Sequence, residues 1–319
     1  MENQNINLGK AEYNDLPELI PYRKGDKYGF CDRNKKIIIE CTYDYALPFS
    51  GELAGVQNDE KYGLIDKTGK EVTPCIYDII YDFSEGLAVV EKNQKYGFID
   101  KTGKEVVPCI YDHINDLSEG LAVARKNQKY GFIDETGKEV IPCIYDFAYA
   151  FSEGFARVRK GSYPNEKWDY INKTGKEIAS CIYADAYSFF EDLAMVVKNR
   201  KYGYIDKTGK QIVPFIYELA LSFSEGLALV IEREDIGYGY IDKTGNEVIS
   251  CSYDNGSSFS EGLAAVKKFG KFGYIDKTGK QIVPFIYELA LSFSEGLASI
   301  KNDRKSFYID KQGTEYWED

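Results

Sequence analysis

Short apolar runs alternate with polar turns along this chain at a spacing that suits strands and not helices. Leu121 to Lys126 is one such run. A polar Asn127-Gln128 turn follows it, and then the segment Tyr130 to Asp134. A turn closing on Gly137 comes next, where glycine supplies the positive φ that tight hairpins need. Glu139 to Ile141 reads as a third short strand closed by Pro142, which has no N–H to give a ladder. Ile144-Tyr145-Asp146 and a variable tetrapeptide lead to Phe151-Ser152-Glu153-Gly154 and the next run. The pattern predicts a three-stranded antiparallel meander, with room for a short fourth strand in the variable stretch.

This meander recurs. Its anchor is the aromatic residue before the Gly-aromatic-Ile-Asp-Lys-Thr-Gly block, at Tyr28, Tyr62, Tyr96, Tyr130, Trp168, Tyr202, Tyr238 and Phe272, with a degraded ninth copy at Ser306. The intervals are 34, 34, 34, 38, 34, 36, 34 and 34 residues. Tyr204 to Ala228 is identical to Tyr274 to Ala298, the mark of a duplicated pair of repeats. A 34-residue period also fits helix-pair arrays. Glycine one and seven residues after the anchor and proline twelve after it would break both helices, so that reading is rejected.

Lys61-Tyr62-Gly63-Leu64-Ile65-Asp66-Lys67-Thr68-Gly69-Lys70 and its copies resemble the WG-repeat (KWG-repeat) family of bacterial β-repeat proteins. The tryptophan of that motif survives only at Trp168, where Asp169 replaces the glycine. The resemblance implies an all-β array of tandem antiparallel meanders and brings no general activity or catalytic residue with it. A propeller-like arrangement is favoured, with an open superhelical array as the alternative. Residues 1–20 read as a lead-in and 21–319 as one repeat domain of eight complete intervals plus a degenerate terminal copy.

Composition agrees with strands: 27 Tyr and 18 Phe stand against 2 Trp and 2 Met. The net charge of -11 makes nucleic acid a poor partner and suits a basic patch on a protein or peptide. No membrane-length apolar run or leader-like opening is seen, and the seven cysteines lack close CxxC pairing. A cytoplasmic protein with reduced thiols is expected.

Two ladders look chemical. Cys41, Cys75, Cys109, Cys143, Cys181 and Cys251 share one rung, which Phe215 and Phe285 also occupy, so the rung reads as a buried apolar slot and not as a metal site. Carboxylates recur at Asp44, Asp78, Asp112 and Asp146, and again in Ser-Glu-Gly at Glu85, Glu119, Glu153, Glu225, Glu261 and Glu295. Catalytic carboxylate pairs need two different environments. Residues repeated in every unit belong to the scaffold, where they satisfy turn backbone groups. His113 is the only histidine, which leaves no multi-histidine site. No cofactor or metal is expected.

Function is therefore sought where the copies differ. The tetrapeptide 17 to 20 residues after each anchor offers Tyr45, Tyr81, His113, Phe147, Tyr149, Asp185 and Tyr187. Two lengthened hairpins, Gly161 to Lys167 and Arg233 to Gly237, add Tyr163, Glu166, Glu234 and Asp235. Together these are the candidate partner-binding residues. The resulting expectation is a non-catalytic scaffold for protein or peptide partners in a bacterial cell. A carbohydrate or cell-surface binding module and an enzyme with a site at a pole or central cavity are the alternatives.

Overall fold

The computed structural model describes residues 17–161, 166–178, 182–233, 235–302 and 305–317. Among the described residues the chain is all-β, with 34 strands in seven four-stranded and two three-stranded antiparallel sheets and no helix. Contacts divide it into two units, Met1–Gln128 with Phe132–Glu139, and Lys129–Gly131 with Val140–Asp319. Each unit is built on the same repeat.

In the first unit, Tyr45–Ala46, Leu53–Asn58, Lys61–Asp66 and Glu71–Tyr77 form one sheet in that order. The fourth strand is thus the first half of the variable tetrapeptide, only two residues long, and this brevity is how 34 residues hold four strands. A four-stranded antiparallel meander is also the unit of propeller blades. The second unit repeats the plan, for example in Leu219–Ala220, Leu227–Ile231, Tyr238–Asp242 and Glu247–Tyr253, while Ile79–Ser84 and Asp185–Phe190 extend the short strand to six residues.

The core lies between successive sheets, so the central strands are buried on both faces. In Lys61–Asp66, Ile65 packs with Phe30, Ile39 and Val56, while Leu64 packs with Ala88, Val90 and Ile99 on the other side. In the second unit Tyr204, Val213 and Tyr217 pack against Phe223, Ala228, Val230 and Ile241. Each fully buried large apolar side chain contributes about 1.5–3 kcal/mol. Leu19 joins the first of these cores.

Where the last strand of a sheet carries a proline, it does not stop there. Glu71–Tyr77 runs through Pro74, and Glu139–Tyr145 through Pro142. Tyr62 pairs with Tyr77 and Leu64 with Thr73, so the residues between the latter two face Gly63 as a bulge. The proline sits in that bulge on an edge strand, where no N–H is required of it. The bulge also explains the glycine after the anchor. A Cβ on Gly63 would lie 2.6 Å from the Thr73 carbonyl oxygen and 2.8 Å from the Cys75 nitrogen. At Gly239 and Gly273 the intruding atoms include the Cys251 sulfur at 2.7 Å and the Phe285 ring at 2.8 Å. The cysteine rung is accordingly packed over that glycine, half-buried instead of fully buried as expected. Cys181 lies outside the described residues.

The carboxylates are bound into turns. Asp66 accepts from the Thr68 nitrogen at 2.9 Å, the Thr68 hydroxyl at 2.6 Å and the Lys70 nitrogen at 3.0 Å. Asp100, Asp134, Asp242 and Asp276 do the same. Asp44 pairs with Lys27 at 2.5 Å and accepts the Asp59 N–H at 2.9 Å, and Asp78 joins Lys61 to the Asn93 N–H. In the second unit the Ser-Glu-Gly turns reach further than their own hairpin. Ser224 donates to the Phe259 carbonyl at 2.8 Å, and Glu225 accepts the Gly262 N–H at 3.0 Å and pairs with Lys277 at 3.0 Å. Glu261 repeats this with Gly296 and Lys311. These glutamates hold φ of 54° and 53°, a conformation unfavourable for a side-chain-bearing residue. Their position turns each carboxylate into a staple onto the next repeat.

Candidate functional site

Strand alternation sorts the variable tetrapeptide into two faces. Its second residue points into the core: Ala46, Ile114, Ala148, Ala186 and Ala220 are all buried. The first and third residues sit on the accessible face, and every tetrapeptide residue named as a candidate occupies one of those two positions. Pairing then extends the row across the sheet. Tyr45 lies opposite Gln57 and Gln57 opposite Tyr62; Phe147 lies opposite Arg159 and Arg159 opposite Trp168. Asp185, Val197 and Tyr202 form the same row. The variable residue, a mid-strand residue and the anchor aromatic thus share one face.

In the second unit this face condenses into an aromatic cluster around two arginines. The Arg157 guanidinium stacks 3.8 Å from the Tyr149 ring centroid and lies 5.7 Å from Trp168 and 5.9 Å from Tyr187. Arg159 lies 5.7 Å from both Phe147 and Trp168. Phe147 meets Tyr149 at 5.0 Å, Tyr130 at 5.1 Å and Trp168 at 6.3 Å, and Tyr149 meets Trp168 at 5.7 Å. Cation–π contacts at such partly desolvated positions contribute about 0.5–2 kcal/mol each. Arg157 donates through Nη1 to the Ala186 carbonyl, and Arg159 through Nη1 to Glu166 at 3.4 Å. The Nε atoms of both arginines are buried and meet no acceptor among the described residues.

Five candidates therefore gather here: Phe147, Tyr149, Glu166 and Tyr187 touch the arginines directly, and Asp185 touches Tyr187. Burial, then Asp185 and Tyr202 beside it, push the Tyr187 phenol up to about 12, so it stays a neutral donor at physiological pH. Asp185 also accepts the Ala186 N–H at 2.8 Å. Tyr149 is 41% exposed, which leaves the cluster open to a partner.

The remaining candidates lie elsewhere. In the first unit Tyr45 meets Tyr28 at 5.4 Å. His113 packs edge-on to Tyr96 at 5.3 Å and bonds through Nε2 to Asn115 Oδ1 at 2.6 Å. Burial, then Glu91 and Tyr81, raise the Tyr96 phenol to about 12. Tyr81 also lines a shallow groove of about 240 Å³ with Leu47, Tyr62 and Phe83. Asp235 is held by Arg233 of its own hairpin at 2.6 Å, away from the cluster. Tyr163 and Glu234 lie outside the described residues. Burial holds Cys109 up to about 11 and raises Cys75 and Cys251, so these sulfurs are thiols and poor nucleophiles.

Sequence reasoning missed Arg157 and Arg159. They belong to the apolar run before the anchor, whose pattern predicts a strand and singles out no candidate in it. The signal was present: the residues paired with the anchor or facing it are Gln57, Glu91, Arg159, Val197 and Lys267 in different copies. Variation inside an otherwise apolar strand marks its accessible face.

The WG-containing repeat family matches residues 28–62, 62–96, 96–130, 130–168, 170–202, 202–233, 238–272 and 272–305. No curated protein sequence matches the chain. Among solved structures, a eukaryotic initiation factor aligns at 11% identity over 95% of this chain and 96% of its own, with a TM-score of 0.48. Hsv2 of Kluyveromyces lactis aligns at 11% over 73% and 90%, with a TM-score of 0.37. A streptogramin B lyase aligns at 15% over 71% and 90%, with a TM-score of 0.30.

Proposed function

This chain belongs to the family of WG-containing repeat proteins, and from that premise we propose that it is a non-catalytic binding scaffold for a protein or peptide partner in the bacterial cytoplasm. The observation that carries the reading is the Trp168 cluster. Repeats that are nearly invariant in their turns and cores differ on one face of their sheets, and there Phe147, Tyr149, Trp168 and Tyr187 surround Arg157 and Arg159. Aromatic and arginine side chains carry most binding energy at protein interfaces. The invariant carboxylates are occupied in turns and staples, which supports a scaffold role over acid–base chemistry.

The test is recovery of partners from native lysate by the full chain and by a Tyr149→Ala/Tyr187→Ala variant. A partner bound by the natural chain should be lost from the variant while the variant keeps a cooperative thermal transition, lowered only by its lost ring contacts. Equal recovery by a folded variant would rule this face out, and capture of glycans in place of protein would transfer the reading to a carbohydrate-binding module.

A further inference from the structure

The charge at the Trp168 cluster runs against that of the molecule. The whole chain carries -11, and its charge favours basic partners, yet this face presents two guanidinium groups side by side on one strand. Arg157 lies opposite Tyr170 and Arg159 opposite Trp168, two residues apart and so on the same side of the sheet. Arg157 is met by a carbonyl oxygen and by ring faces, with no carboxylate in ion-pair contact among the described residues. Among the described residues the one carboxylate in ion-pair contact with Arg159 is Glu166, at 3.4 Å, which is long for a charge-assisted bond, while Asp146 feels its charge from further off. Burying a guanidinium N–H without an acceptor is unfavourable, and here two neighbouring residues do so.

We propose that this cluster is a recognition site for an acidic peptide segment in which a carboxylate side chain neighbours an aromatic or aliphatic one. The proposal rests on the scaffold reading and gives it a partner chemistry. The carboxylate takes the place that Glu166 now fills beside Arg159 and shares the charge of Arg157. The neighbouring apolar side chain packs on the open faces of Tyr149 and Trp168. Glu166 acts as a weak internal stand-in for the ligand. A planar guanidinium stacked on a ring keeps its edge for a carboxylate, which an ammonium would not do. Two guanidinium groups flanking one acceptor would also reject a lysine-bearing segment by like-charge repulsion.

Trp168 is one of only two tryptophans, so a Trp317→Phe full-length chain reports on the cluster through a single fluorophore. This chain would be titrated with the peptides acetyl-Phe-Glu-Glu-amide, acetyl-Phe-Gln-Gln-amide and acetyl-Phe-Lys-Lys-amide. The acidic peptide should give a saturable change in Trp168 emission, the glutamine peptide should bind about tenfold more weakly, and the lysine peptide weaker still. Glu166→Gln should tighten acidic-peptide binding several-fold, because it removes the competing carboxylate. Arg159→Gln should weaken it about tenfold, with a cooperative melt lowered only by the two lost ring contacts. Equal binding of the three peptides, no saturable binding, or weaker binding by Glu166→Gln overturns the proposal. If the lysate partner still depends on Tyr149 and Tyr187 while the acidic peptide fails, the partner chemistry is wrong and the scaffold reading stands. If both fail, the face itself is wrong.

Discussion

The hydroxyl of buried Tyr240 donates to the carbonyl oxygen of Ser257 at 2.7 Å, tying the core of one repeat to the variable stretch that follows it. Tyr170, Tyr204 and Tyr274 make the same bond to Tyr187, Leu221 and Leu291. In the first unit the equivalent positions are Phe30, Leu64, Phe98 and Phe132, which have no hydroxyl to give. At the arginine cluster the stretch is therefore anchored from below at Tyr187, through Tyr170.

Removing that hydroxyl should loosen the anchor without emptying the core. Tyr240→Phe keeps the ring packed on Phe259 at 4.9 Å and leaves the Ser257 carbonyl without its donor. A loss of about 1–2 kcal/mol is expected in urea unfolding. Phe98→Tyr in the first unit should bring less benefit than Tyr240→Phe brings loss, since no acceptor was shaped for it. A cost near zero for Tyr240→Phe would show that the bond is incidental.

Glycine after the anchor is required by contact, not by dihedral angle. Gly63→Ala places a methyl against the bulge of the next strand at 2.6 Å, and backbone cannot yield there cheaply. About 3 kcal/mol or more should be lost, against about 1 kcal/mol for Gly86→Ala, whose Cβ would meet open space. Asp169 is the natural counterpart. It is fully buried at the glycine position, and among the described residues single bridges pair Trp168 with Tyr183 and Ile171 with Glu177. Comparable urea midpoints for the two glycine variants would contradict this account.

The aspartate turns make the fold acid-sensitive. Bonds from the Thr hydroxyl, then from backbone N–H groups, hold Asp66, Asp100, Asp242 and Asp276 below the ordinary value of 3.8. A carboxylate depressed in the folded state contributes fully above its unfolded pKa, and that contribution is lost as pH falls below 3.8 and through the depressed value. Asn172 accepts the same three bonds from Thr174 and Lys176 without titrating in this range. Replacing those four aspartates by asparagine should therefore shrink the difference between urea midpoints at pH 7 and pH 3. An unchanged difference would place the acid sensitivity elsewhere.

Phe269 is an exposed liability that a single change should relieve. It is 89% exposed at φ 51°, the turn position where Asn93, Asn127 and Asn199 hold 53°, 52° and 51°. Asparagine tolerates this conformation far better than phenylalanine. Phe269→Asn should raise stability by about 0.5–1 kcal/mol with an unchanged denaturant slope. A fall in stability would mean that the ring makes contacts in solution that its exposure does not suggest.

Much of this was legible in the chain before any coordinates. Period, strands, turns and the family frame followed from local rules, because hairpin glycines, bulge prolines and alternating apolar residues act over a few positions. The scaffold nature of the carboxylate ladders was legible from their recurrence alone, although their partners, such as Lys27 for Asp44 and the Gly262 N–H for Glu225, lie far along the chain. The candidates in the variable stretch fell on the accessible face, although the strict division between its buried and exposed positions emerged only from the pairing.

Tertiary structure decided what lies beyond such distances. That Glu225 staples the turn of the next repeat depends on how sheets stack, and so does the clash that forbids a side chain at Gly63. The joining of Tyr149, Trp168 and Tyr187 around Arg157 depends on it too. Arg157 and Arg159 sit in a run that reads as a strand. Only cross-strand register, which matches residues across a hairpin and turns one alternate set outward, shows that they face the variable residues and give that face its charge.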